Sequence, residues 1–202
     1  MTMLEHLRRM ARNNLWSNDR LYRAVLALQP GELEAGRTGF FPSIRETLNH
    51  ILAVDLLYLD FLTDGGRGAA VYDDYVPFDD AVGLAEAQAD FDRRLVAFCD
   101  ALSETDLDRS VITDRREDGM IPEKIGDILA HVFLHDIHHR GQVHAMLSGT
   151  SVPPPQLDEF LLEYDLKLRK EEVERLGLDD QTKATSWAAK CRSAVTIVRS
   201  SI

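Results

Sequence analysis

The segment HVFLHDIHHRGQVHAML, residues 131–147, constrains the fold more than any other stretch, because it holds five of the chain's seven histidines. At about 100° per residue on an α-helix, His131, His135 and His139 lie within about 80° of one another. His138, Gln142, Ile128 and Met146 fall on that side, whereas Arg140 and His144 point the other way. Leu129, Val132, Val143 and Leu147 add an apolar stripe beside the imidazoles. A helix that is apolar or imidazole-bearing around most of its girth is expected to be the central, most buried element of a helical fold.

The rest of the chain repeats the helical period. Leu4, Leu7, Met10, Ala11, Leu21, Val25 and Leu28 keep that spacing over residues 3–28, before Pro30 and Gly31 stop the run. The tetrapeptide SIRE, with Ser43 and Glu46, reads as a capping box opening a second helix that runs to Gly65 and Gly66. A third is predicted over 80–102, with Phe91, Leu95, Phe98 and Leu102 inward. The histidine helix is predicted from about Pro122, tolerated in a first turn, to Ser148. After the stiff connector Pro153–Pro154–Pro155, a fifth helix is predicted over 157–176, closed by Gly177. Strand signal is limited to a weak hairpin, SVIT and GMIP around the charged DRRED. The expected class is all-α, an up-and-down bundle with an additional C-terminal helix, occupying residues 1–177. Residues 178–202 read as an appended basic tail: Lys183, Lys190, Arg192 and Arg199 occur there, with no acid after 180. A helix from Thr185 and a partly ordered terminus are both compatible with that composition.

Charge narrows the function. A formal net charge of -11 opposes any sequence-independent grip on nucleic acid, which needs clustered Lys and Arg to displace counterions. It equally opposes an anionic membrane surface. No apolar run approaches the roughly 18 residues that span a bilayer, and the start MTMLEHLRRMARNN lacks the apolar stretch of a secretory signal. Two cysteines, Cys99 and Cys191, make no disulfide framework, and Cys99 in LVAFC reads as a small buried hydrophobe. These features together imply a cytoplasmic protein.

Several imidazoles on one helix face pose a chemical problem. Each needs partners for both ring nitrogens, and they repel one another when protonated. A divalent ion removes both difficulties, since it binds neutral imidazole nitrogens at about 2.0–2.1 Å. Spacing by four residues lets two rings of one helix meet one ion. The third ligand must come from elsewhere, and only His6 and His50 remain. His50, among Leu48, Ile51, Leu52 and Val54, is expected to be buried, whereas His6 lies on a polar first turn. The residues therefore point to His50 with either His131/His135 or His135/His139; spacing alone leaves both open. Asp55, five residues after His50, is offset by about 140° and is expected to miss the site. Glu46, one turn before His50, is better placed to act as a base, although its capping role competes. Three imidazoles accept zinc first, with nickel, iron or copper as further occupants.

The run HDIHHRGQVHAML, preceded by NHI about 85 residues earlier, resembles the DinB/YfiT-like family of metal-dependent proteins. The name refers to a damage-inducible bacterial protein, not the DNA polymerase that shares it. NNLWSNDRL at 13–21, FFPSIRETLNHIL at 40–52 and PPPQLDEFLL at 153–162 extend the likeness over roughly residues 3–170. The resemblance implies a four-helix bundle of up-down-down-up character, usually a homodimer, with a metal held by His50, His135 and His139 and a fourth position left open. It thus selects His135/His139 over His131/His135. His131, His138 and Gln142 become residues lining or supporting the site, while Arg140 is expected to pair with a carboxylate and Gly141 to permit close helix approach. Relatives with known activity use a low-molecular-weight thiol such as bacillithiol or mycothiol. The implied function is therefore a metal-dependent hydrolase or thiol-dependent transferase acting on a small molecule. The alternative is a non-catalytic, stress-related metal-binding dimer. A cleft reaching the open position separates the two, because a structural site is closed. Dimer and metal site are both expected to be independent of the tail.

Overall fold

Thr2 accepts the Glu5 N–H, and the Glu5 carboxylate takes the Thr2 N–H in return. This capping box opens helix α1, Met3–Leu26. The computed structural model describes residues 1–178. Ser43 caps α2, Ile44–Leu62, by accepting the Glu46 N–H at 3.1 Å. Only that half of the expected box forms, and the Glu46 side chain is exposed. A short helix α3, Ala70–Asp73, leads to α4, Ala81–Ala101, which Asp80 caps through the Val82 and Gly83 N–H groups.

The weak hairpin signal corresponds to strands β1, Ser110–Asp114, and β2, Met120–Lys124, paired antiparallel. The histidine helix α5 therefore begins at Ile125 and ends at Leu147, later than expected at its start. Pro122 lies in β2 opposite Ile112, where a two-stranded ribbon leaves an open edge that tolerates its missing N–H.

The last expected helix is also shortened. Helix α6 covers only Leu166–Leu176 and ends on Gly177, in the left-handed conformation at φ 66°. Residues 157–162, with helical periodicity, are not helical. Carbonyls in and beside this run are engaged by guanidinium groups instead: Arg20 donates to the Gln156 oxygen at 2.8 Å, Arg9 to Leu161 at 2.7 Å and Arg169 to Leu162 at 3.0 Å. Phe160 packs on Trp16 at 5.5 Å between ring centroids. Those long-range bonds satisfy the backbone as a helix would have done.

The protein is mostly helical. Helix α1 packs against α4 and α5, and α2 against α5 and α4. Leu21, Leu52, Leu84, Leu95, Leu129, Val143 and Leu147 bury their side chains in the shared core. Cys99 is buried there as expected, and burial pushes its thiol up to about 12. Helix α5 is not buried all round: Leu134 is 67% exposed and Ile137 47%. The helix thus presents an apolar outer stripe as well as an inner face. Among the described residues, no helix is long and apolar enough to cross a membrane. The expected basic tail and Cys191 lie outside the described residues, except for Leu178.

The segment after α3 is held to α2 by one amide. Asn49 Oδ1 accepts the Tyr75 hydroxyl at 2.7 Å and the Phe78 N–H at 2.8 Å, while its Nδ2 donates to the Arg45 and Phe78 carbonyls. Asn49 is buried, so truncation would strand these groups without solvent. Asn49→Ala is expected to destabilise the protein by about 1–3 kcal/mol. Urea denaturation with an unchanged slope checks it.

Candidate metal centre

The packing of α2 on α5 brings His50 over the His135–His139 pair. His50 Nε2 and His135 Nε2 are 3.1 Å apart, and the ring centroids of His139 lie 4.6 Å from His50 and 4.5 Å from His135. One nitrogen from each ring lies within 4.8 Å of the others. The 3.1 Å separation is that of a hydrogen bond and also of two ligands on one ion: bonds of about 2.05 Å at a tetrahedral angle put nitrogens about 3.3 Å apart. The donor set fits a divalent ion.

The electrostatics favour lone pairs over protons. Burial, then the charges of His135 and His139, push His50 down to about 4. Burial likewise lowers His139, against an opposing hydrogen bond from Gln142. That bond orients the ring: His139 Nδ1–H donates to Gln142 Oε1 at 2.9 Å, which leaves Nε2 free. Gln142 Nε2 in turn reaches His138 Nε2 at 3.1 Å. His131 is not one of the three grouped rings; it lies between Tyr58, at 5.0 Å, and His135, at 6.3 Å, and Arg115 bonds the Tyr58 hydroxyl. His144 points away, its Nε2 on the Pro155 carbonyl at 3.0 Å. His6 is half-buried on α1.

His50 is half-buried rather than buried, because it faces a cleft. That cleft, of about 500 Å³, runs between α2 and the segment pinned by Asn49 and is lined by Phe41, Glu46, His50, Tyr72, Tyr75 and Phe78. The Phe41 ring lies 4.4 Å from His50 and 5.8 Å from His139. Sequence reasoning missed Phe41. The only signal available was its place in FFPS, just before the α2 cap.

Two further expectations change. Asp55 turns away from the three-ring cluster but does not miss the centre: it is fully buried behind His135, grouped with Asp136 and that ring. The crossing of α2 and α5 places the inner face of α2 against the far edge of His135. Gly141 makes no close approach, since a Cβ there would meet nothing within 4 Å. Arg140 does pair inward, 3.8 Å from Asp136 and hydrogen-bonded to the side-chain oxygens of Asn14 and Asn18.

A mostly helical fold with three clustered imidazoles describes a candidate helical metalloprotein. The sequence model of the DinB family matches residues 3–174, and the chain belongs to that family. In fold it is similar to a crystal structure of a DinB-like protein, YjoA, from Bacillus subtilis, with a TM-score of 0.53 at 17% identity. That likeness covers 71% of this chain and 95% of the other. No curated protein matches the chain.

The lowered His50 value carries a pH consequence for the metal-free protein. An unfolded histidine binds its proton at about 6.5, whereas His50 in the fold resists protonation until about 4. Between these values the unfolded state binds more protons, so stability falls as pH drops from about 6.5 to 4 and the loss then levels off. Chemical denaturation at pH 7 and 4.5 is expected to show a smaller loss for His50→Gln than for the unaltered protein.

Proposed function

We propose that the protein is a metal-dependent enzyme in which His50, His135 and His139 hold a divalent ion, zinc before nickel or iron. It acts on a small molecule as a hydrolase or as a transferase using a low-molecular-weight thiol. The observation that carries this reading is the cluster of three imidazoles, one of which, His50, lines an open, aromatic-walled cleft. A purely structural site would be closed by a fourth protein ligand. An ion bound there supplies Lewis acidity to a water, a thiol or a carbonyl group.

The chain's own residues have separate tasks in this scheme. Gln142 fixes the His139 ring, Phe41 covers the His50 and His139 rings, and Tyr72, Tyr75 and Phe78 wall the space a substrate would fill. Two carboxylates line that cleft; Asp79 pairs with Arg45, whereas Glu46, exposed, not used as a cap and one turn before His50, is the one to accept a proton from a nucleophile. The four long helices read as an up-down-down-up bundle, and a cytoplasmic setting belongs to the same interpretation.

Metal analysis of natively purified protein is expected to give one ion per chain. His135→Ala loses it, whereas His144→Ala, on the other side of α5, keeps it. Equal metal content in the two variants overturns the ligand assignment. A panel of thiols with electrophiles, and of hydrolysable esters and amides, then reads activity. Glu46→Gln is expected to lower kcat by about 100-fold with the metal retained. A loaded protein inert across the panel favours the non-catalytic alternative.

We also propose a homodimer. Ala130, Leu134, Ile137 and Gly141 line one outward face of α5 at helical spacing, and all four are exposed. Burial against a twofold mate would remove that apolar stripe from water. Sedimentation at micromolar concentration is expected to show a dimer for the unaltered protein and a monomer for Leu134→Lys.

A further inference from the structure

Behind the three rings lies a second group of polar side chains, and it is the least explained part of the interior. Asp55 and Asp136 are both 0% exposed, with a carboxylate oxygen of each and one His135 ring nitrogen within 4.8 Å of one another. Asp136 Oδ1 is 3.6 Å from His135 Nδ1. Five buried atoms of this group make no hydrogen bond: His135 Nδ1, both oxygens of Asp136, Asp55 Oδ1 and Gln88 Oε1. Gln88 braces the group from α4 by donating to Asp55 Oδ2 at 2.7 Å. Buried polar atoms left bare are costly and rare, so five in one group call for a role.

We infer that Asp136, braced by Asp55 and Gln88, is a positioning residue of the metal centre: it takes the Nδ1 hydrogen of His135 and so presents Nε2 to the ion. The 3.6 Å contact closes to a hydrogen bond with a slight rotation of either side chain. The neighbouring ligand supplies the precedent within the same site, since His139 already gives its Nδ1 hydrogen to Gln142. A carboxylate in that role also makes the opposite nitrogen more basic, which an amide does less well. Burial, then the charge of Asp136, raises the Asp55 carboxyl well above its ordinary range. The contact extends the centre beyond α2 and α5. Arg140, 3.8 Å from Asp136, bonds Asn14 and Asn18 of α1, and those amides donate to Asp92 of α4. All four long helices thereby contribute to one buried polar layer behind the ring.

The test has two arms, and only the second depends on the metal assignment proposed above. In the metal-free protein, long-range proton–nitrogen NMR of the labelled His135 ring is expected to show the Nδ1–H tautomer, and Asp136→Asn is expected to shift it towards Nε2–H. An Nε2–H ring in the unaltered protein overturns the inference, whether or not the protein binds metal. In the second arm, zinc affinity is read by competition with a chelating dye. Asp136→Asn is expected to weaken binding about 10–100-fold, and Asp92→Asn, which alters the same polar layer without touching His135, by less than about threefold. Equal losses in the two variants, or a loss in Asp136→Asn that tracks lost helicity, would show that the layer serves only the fold. A protein that binds no zinc refutes the three-histidine assignment and leaves the tautomer result to decide the pairing.

Discussion

The arrangement depends on the contact between α2 and α5. These helices pack along their apolar faces, with Leu48, Ile51, Leu52 and Leu59 on one and Ile125, Ile128, Leu129 and Val132 on the other buried in the common core. That contact sets the separation of His50 from His135 and His139, residues 85 and 89 positions away in the chain. Close-packed interiors resist small shifts, so three imidazoles carried by two rigid helices keep a spacing that loops would not hold. The cleft follows from the same contact, because Asn49, beside His50 on α2, ties residues 75–78 across its flank.

A polar layer crosses this apolar bundle. Asp55, Asp92, Asp136, Asn14, Asn18, Gln88 and Arg140 are all buried, and Arg140 lies 3.8 Å from Asp136. Burial raises Asp92 to about 7 despite the Asn18 bonds that oppose it. Sliding either α2 or α5 by a turn would leave such groups among hydrocarbon without partners, at about 1–3 kcal/mol each. The layer therefore ties helix register to the histidine cluster: the register that keeps these polar groups together is the one that brings the three rings together.

Much of this was legible in the sequence, for local reasons. Residues four apart on a helix share a face whatever surrounds them, so the common face of His131, His135 and His139 and the opposed His144 could be read directly, while only the family resemblance chose His135/His139 over His131/His135. His50 stood out as an imidazole inside an apolar helical stretch. The less legible features depend on distant residues. The run 157–162 has helical periodicity, yet Arg9 and Arg169 take carbonyls of it and it stays non-helical. Pro122 suits a helix start, but pairing with Ile112 puts it in a strand. Asp55 was dismissed by its angle from His50 on one helix, because no single-helix projection shows that His135 arrives on that side.

The sequence by itself determined the class of the fold, the helices that carry the histidines and the face on which they lie, since helical period and i, i+4 spacing are properties of a single segment. Only the tertiary structure decided that the Phe41 ring covers His50, that the site opens on an aromatic cleft, and that Asp55 and Asp136 sit behind His135. Those contacts join side chains tens of residues apart. Their distances come from how the helices cross, and a linear pattern does not encode the crossing locally.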